Sequence, residues 1–166
     1  AAIARSLKDT GGVYCVPALT GLGYPHWAPE ARGAFLGLTR GTTEKEVVRA
    51  ALESLAYQTN DALQGFKKYL KKPIRELRVD GGAAQNDWLM QFQADISQVS
   101  VVRPRVTEST ALGAAYMAAC GAGVMDQHEI SKKRVIDATF TQRMKKEKRL
   151  QLVSGWERAV QVTKQF

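Results

Sequence analysis

Cysteine is scarce in this chain: Cys15 and Cys120 are the only two, far apart in sequence and without a Cys-x-x-Cys neighbour. That scarcity argues against a disulfide framework or a thiolate metal site, and both residues are expected to be buried free thiols of a cytosolic protein. Long apolar runs are missing as well. No stretch reaches the roughly 18 consecutive apolar residues of a membrane-spanning helix, and the first residues lack the charged, apolar and small-residue succession of a secretory leader. A cytoplasmic chain with no membrane partner is the expectation. Acidic residues thin out toward one end: residues 1–130 hold 14 Lys+Arg against 13 Asp+Glu, whereas residues 131–166 hold 10 against 3. The formal net charge of +8 is therefore a property of the tail, where Lys132, Lys133, Arg134, Arg143, Lys145, Lys146, Lys148 and Arg149 cluster. No aromatic platform is interleaved with those charges, so the cluster reads as the solvated face of a terminal helix rather than a nucleic-acid surface.

What is present suffices for a core. At 166 residues and 45% hydrophobic, the chain fits one globular domain able to bury about 70% of its unfolded surface. Ile3 and Leu7 stand one helical turn apart, which predicts the end of a helix over residues 1–9 whose beginning is absent. Thr10-Gly11-Gly12 would end it, and Val13–Val16 reads as a short strand stopped by Pro17. Residues 17–32 carry three prolines and two glycines without periodicity and are expected to be an ordered loop. His26 beside Trp27 is assigned a packing role there, not a catalytic one.

Residues 33–38 predict a second short, buried strand. Thr43 and Glu46 have the spacing of a capping box, opening a helix in which Val48, Leu52, Leu55, Leu63, Phe66 and Leu70 would face inward and Glu53 and Gln58 outward. Residues 74–79 alternate apolar with charged as a half-buried strand does, and a helix with Leu89, Phe92 and Ile96 inward is expected from Asn86 to Gln98. Residues 100–103 give another strand, and a helix starting near Glu108, capped by Ser109 or Thr110, follows. Its Gly113 would cost about 1 kcal/mol relative to alanine, which predicts a close approach by another element. One helical turn over 126–132, an extended stretch over 135–140 and a closing helix over 144–165, with Leu150, Val153, Trp156 and Val160 inward, complete the chain. Alternation of strand and helix from Val13 to Ala122 argues an α/β layered domain built on βαβ connections.

The centre of this organisation is Arg78-Val79-Asp80-Gly81-Gly82-Ala83-Ala84-Gln85-Asn86-Asp87. A strand breaks there at two glycines, which lack Cβ atoms and can adopt φ > 0, so the backbone can approach a ligand as a strand-to-helix turn under a nucleotide does. By itself such a pair equally marks an ordinary tight turn.

Four blocks resolve that ambiguity: GGVYCVPALTGLGYPHWAPEARGAFLGLTRG, AALESLAYQT, LRVDGGAAQNDWLMQFQADI and the E-S-TALGAAYMA helix. Through them the chain resembles the C-terminal half of the glycerol kinases, members of the FGGY carbohydrate kinases, over roughly residues 10–124. The VPALTGLG segment is the most specific, because pentulose kinases usually carry a P-Y-L-x-G-E-R type of loop there. The resemblance implies a partial ribonuclease H-like, actin-like ATPase fold of α/β class that lacks its first strands, with residues 1–9 closing a helix and 125–166 forming a basic extension. It further implies ATP/ADP and Mg²⁺ as cofactors, glycerol as substrate, and a homo-oligomer, dimer or tetramer, of the full-length enzyme.

On this resemblance Gly81, Gly82 and Ala83 match the turn beside the nucleotide, and Asn86 matches the adenosine-side asparagine. The catalytic aspartate, the glycerol contacts, the first phosphate loop and the metal ligands of the family lie N-terminal to anything present here, so no catalytic or metal residue is assigned and this stretch alone is expected to be inactive. The chain departs from the family at Leu19, usually Phe, at Ala28, usually Asp, and around Arg143 to Arg149. A kinase for another polyol or sugar, and a non-catalytic module whose basic tail binds an acidic partner, remain as alternatives.

Overall fold

The computed structural model describes residues 2–130 and 135–165. In chain order the elements are α1 (Ala2–Ser6), β1 (Tyr14–Val16), β2 (Ala34–Leu36), α2 (Glu44–Lys67), β3 (Glu76–Arg78), α3 (Asp87–Ser97), β4 (Ser100–Pro104), α4 (Ser109–Gly121), α5 (Gln127–Ile130), β5 (Ile136–Phe140) and α6 (Lys146–Thr163). β3, α3 and β4 form a βαβ unit whose two strands pair in parallel, Leu77 opposite Val101. β5 joins the outer side of β4 antiparallel, with Val101 opposite Phe140 and a register shift at Arg103/Pro104. β1 and β2 make a separate antiparallel hairpin, Cys15 opposite Phe35.

Local chemistry explains the helix starts. Thr43 accepts from the Lys45 N–H while the Glu46 carboxylate accepts from the Thr43 N–H at 2.8 Å, so the expected capping box closes α2 reciprocally. Hydrogen bonds from the Thr43 hydroxyl and then its backbone N–H hold the Glu46 carboxyl below its ordinary range. Within the βαβ unit, Asn86 Oδ1 accepts the Leu89 N–H at 3.3 Å and caps α3.

The core is built around Tyr57. Its ring stacks on Trp156 of α6 at 5.2 Å and meets Phe92 of α3 edge-on at 5.6 Å, with Leu89, Ile96, Val101, Leu152 and Val160 buried around them. α2 meets α3 along Arg49, Ala56 and Tyr57: the guanidinium lies over the Trp88 ring, the Ala56 carbonyl accepts from Gln93 at 3.4 Å and the Tyr57 ring meets Phe92, whereas Ala50 packs on another side with Val13 and Cys15. The expected inward face of α2 is corrected accordingly. Val48, Leu55, Phe66 and Leu70 are exposed, Leu63 alone of the expected set is fully buried, and Gln58 is half-buried.

Glu53 is the larger correction. It is 2% exposed, not a surface residue, and receives the Arg49 Nε–H at 2.8 Å and the Tyr57 hydroxyl at 3.2 Å. Arg49 also donates to the carbonyls of Ala4 and Leu7, closing the C-terminal end of α1, and lies over the Trp88 ring. Burial pushes the Glu53 carboxyl above its ordinary range, against the pull of Arg49.

Residues 17–32 are ordered by a bridge between Leu22 and Ala28 and by a stack of Tyr24 on Phe66. His26 lies 2.8 Å from Asp61, whose same oxygen accepts the Trp156 indole N–H at 2.7 Å, so the loop is pinned to α2 and α6 at once. Leu19 is 81% exposed, with its side chain lying near Gly33.

In α6, Trp156 and Val160 are buried as expected, whereas Val153 is half-buried and Leu150 points outward because the seam turns on Leu152. Gly155 is required there: the Tyr14 ring lies where a Cβ would stand, with its hydroxyl donating to the Leu152 carbonyl at 3.2 Å. The basic tail is partly tied down. Arg149 donates to the Ile96 carbonyl at the end of α3 at 2.7 Å, and Lys148 lies 3.6 Å from Asp9. Lys132, Lys133 and Arg134, with the end of the turn expected over 126–132, lie outside the described residues.

Four further expectations change. β2 is half-exposed rather than buried, with Phe35 at 42% exposure. Cys120 is half-buried, whereas Cys15 is buried and burial pushes its thiol up. In α4 the N-cap position is Glu108, with no side-chain cap, so neither Ser109 nor Thr110 serves. α4 buries none of its residues, and among the described residues nothing stands within 4 Å of a Cβ placed at Gly113.

Candidate functional site

The turn from β3 to α3 is built by a change of hydrogen-bonding partner. The Val79 N–H makes the last ladder bond, to Val102 at 3.1 Å, and the next backbone donor used, Gly81 N–H, goes instead to the Thr107 carbonyl at 2.7 Å. This requires φ 75° and ψ −179° at Gly81, a region open essentially to glycine alone. Residues Gly82–Gln85 then coil into a 3-10 turn, with Ala84 N–H bonded to Gly81 at 3.2 Å and Asn86 N–H to Ala83 at 3.1 Å. Gln85 reaches back to the Thr107 hydroxyl at 3.3 Å.

The four expected site residues thus form one short surface, with distinct roles. Gly81 is half-buried and sets the backbone path. Gly82 and Ala83 are exposed at the tip. Gly82 does not share the positive φ expected of both glycines, and a Cβ on it would meet nothing within 4 Å. Neither conformation nor packing among the described residues calls for a glycine at 82. Asn86 is half-buried: its oxygen caps α3, and among the described residues nothing engages its amide Nδ2.

Beneath the turn lies Arg103 of β4, its side chain 13% exposed. One terminal nitrogen donates to the Ala84 carbonyl at 2.8 Å and to Asp87 Oδ1 at 2.7 Å, while Nε donates to Asp137 Oδ2 at 2.7 Å. The hydrogen bond to Asp87 raises the guanidinium pKa further. Arg103 and Thr107 are absent from the site residues that the sequence suggests. The signal available is a lone arginine, followed by proline, at the end of the otherwise apolar run Val101-Val102.

A cavity of about 490 Å³ adjoins the turn through Asp80 and opens between the ends of β3 and β4 and the face of α4, among Arg78, Arg105, Val106, Leu112 and Tyr116. Among the described residues no three His, Cys, Asp or Glu side chains stand together as a metal site would need. No helix there is long and apolar enough to cross a membrane.

The chain matches the C-terminal domain of the FGGY family of carbohydrate kinases over residues 1–122. It is 50% identical over 161 residues to a glycerol kinase of Citrifermentans bemidjiense, a match covering 97% of this chain and 32% of that protein. The structure resembles that of a Plasmodium falciparum glycerol kinase solved with ADP, with a TM-score of 0.85 and 34% identity over 98% of this chain and 33% of that one. A ligand-bound xylulose kinase from Lactobacillus acidophilus gives a TM-score of 0.76 at 27% identity, over 96% of this chain and 34% of that one. The chain spans about a third of the length of these relatives. Its βαβ unit with flanking helices is accordingly part of the ribonuclease H-like, actin-like ATPase fold. By sequence and by structure, the chain belongs to the FGGY family of carbohydrate kinases.

Proposed function

We propose that this chain forms one wall of the nucleotide cleft in an ATP-dependent glycerol kinase, the whole enzyme converting glycerol and ATP to glycerol 3-phosphate and ADP. The observation that carries the reading is the Gly81–Asn86 turn. Its tip is exposed backbone at Gly82 and Ala83, and among the described residues a Cβ at Gly82 would stand in open space and nothing engages Asn86 Nδ2. A glycine that the fold itself does not require is explained by a ligand lying against it. The ADP in the Plasmodium relative supports a nucleotide as that ligand.

The residues present fit a nucleotide and not its metal. Gly82 and Ala83 offer backbone to a flat or polar group, and Asn86 Nδ2 can donate a hydrogen bond while its oxygen continues to cap α3. Mg²⁺, which would neutralise the transferred phosphoryl group, needs oxygen ligands that the described residues do not gather. The aspartate that activates glycerol is likewise assigned to the remaining two thirds of an enzyme of the relatives' length, so the chain alone is inactive on this reading. A homo-oligomer is the assembly proposed for that longer enzyme.

Glycerol is the proposed substrate because identity is 50% to a glycerol kinase and 27% to a xylulose kinase. The likeness to the latter favours a kinase for another polyol or sugar as the second reading. Turnover of glycerol, xylulose and erythritol by an enzyme of full relative length containing this chain separates the two.

Gly82→Val tests the site itself. Among the described residues nothing lies within 4 Å of its Cβ, so the melting temperature should stay near that of the parent while calorimetric affinity for ATP-Mg²⁺ falls by about ten-fold or more. Undiminished affinity refutes the site.

A further inference from the structure

A 3-10 turn is held by strained i to i+3 hydrogen bonds and has looser alternatives close in energy. In this chain two external anchors fix it: the Thr107 carbonyl takes the Gly81 N–H at 2.7 Å on entry, and Arg103 takes the Ala84 carbonyl at 2.8 Å on exit. The Arg103 guanidinium also grips Asp87, the first residue of α3, and Asp137 of β5, each at 2.7 Å, and lies over the Phe140 ring at 5.5 Å. One planar group therefore joins the turn, the start of the helix that Asn86 caps, and the outer strand. Lysine cannot reproduce this, because a single ammonium cannot serve acceptors spread along a guanidinium edge.

We propose that Arg103 is a positioning residue for nucleotide binding, holding Gly82, Ala83 and Asn86 in the arrangement that meets the ligand before the ligand arrives. The inference rests on the reading of this turn as the nucleotide wall. Arg103 does not touch the nucleotide on this account. It acts by keeping the competent turn populated, and apparent affinity falls in proportion to the competent fraction. If removing the clamp leaves one molecule in ten competent, nucleotide binding weakens about ten-fold. Chemistry in the saturated complex is then little changed, and the glycerol site is unaffected.

The test uses an enzyme of full relative length containing this chain, with ADP as the calorimetric probe and ATP and glycerol in steady-state assays. Arg103→Met should weaken ADP binding and raise KM for ATP by about ten-fold, with kcat and KM for glycerol within about two-fold. Amide exchange over residues 82–86 should speed up in the free variant and return to the parent rate when ADP saturates it. Arg103→Lys keeps the charge and the aliphatic stem, guards against a folding failure, and should weaken ADP about three-fold or more. Gly82→Val is measured alongside. Parent-like ADP affinity in folded Arg103→Lys and Arg103→Met, with loss in Gly82→Val, overturns the positioning role and leaves the site intact. Parent-like affinity in Gly82→Val overturns the site itself. A fall in kcat with KM for ATP unchanged also overturns the proposal, because it would place Arg103 in the chemical step.

Discussion

Asn86 caps α3 with one atom and is proposed to meet the nucleotide with another, and substitution can separate the two. Its Oδ1 accepts the Leu89 N–H at 3.3 Å as the cap of α3, whereas its Nδ2 is the group proposed to donate to the nucleotide. Removing both atoms in Asn86→Ala costs about 1 kcal/mol of stability through the lost cap. In an enzyme about three times as long as this chain, that lowers the melting temperature by about 1–2 °C. Asn86→Asp keeps an oxygen at the cap and adds an anion at the start of α3, favourable by about 0.3–1 kcal/mol, which the neighbouring Asp87 carboxylate partly cancels. Its melting temperature should therefore lie within about 0.5 °C of the parent.

Binding should follow the opposite order. Both variants lose the amide donor, a hydrogen bond worth about 1 kcal/mol or about five-fold in affinity. Aspartate additionally sets a negative charge against an anionic ligand, so it should bind ADP more weakly than alanine does. Thermal melting by circular dichroism and titration calorimetry with ADP read the two quantities separately, in an enzyme of full relative length containing this chain. The expected ranking is parent and Asp above Ala for melting, but parent above Ala above Asp for affinity. Identical rankings in both measurements would refute the division of labour, and parent-like affinity in both variants would remove Asn86 from the site.

Other consequences follow from the core. Glu53 has its carboxyl pKa raised by burial, so the folded state binds more protons than the unfolded chain between the ordinary carboxylate pKa and the raised one. Its contribution is thus most favourable below the ordinary value and declines as pH rises through that window. The stability of the parent minus that of Glu53→Gln, measured in urea, should fall with rising pH above about 4.5 and then level off; a difference that grows with pH contradicts the burial argument. Gly155→Ala drives a methyl into the Tyr14 ring, which is itself packed 6.0 Å from Tyr57. The overpacking outweighs the gain in helix propensity, for a net loss of about 1–2 kcal/mol. Tyr14→Leu in the same chain should recover part of it, and a neutral Gly155→Ala would show that the ring can move aside.

Wherever neighbours in sequence supply the physics, the elements are legible from the residues alone. Thr43 and Glu46 announce α2 because a capping box closes within four residues, and Asn86 marks the start of α3 because its side chain reaches only to Leu89. Gly81 is legible for the same reason: a backbone conformation closed to other residues must be occupied by glycine. The faces of the helices are less so. Periodicity places Leu55 and Phe66 inside α2 and Glu53 outside, yet α3 packs against the face that carries Arg49, Ala56 and Tyr57, and Glu53 is buried there between its two partners.

The site divides along the same line. Sequence by itself determined the family, and it singled out Gly81, Gly82, Ala83 and Asn86 as the proposed nucleotide turn because all four lie within six consecutive residues. Only the tertiary structure decided what holds that turn in place. Arg103 and Thr107 lie 16 or more residues further along the chain, and they reach the turn because β3 and β4 pair in parallel. It likewise decided that Glu53 is a buried ion-pair partner, that Gly155 admits the Tyr14 ring, and that nothing among the described residues lies against Gly82. Each of these depends on which elements meet across the fold, a matter of long-range packing that no local pattern encodes.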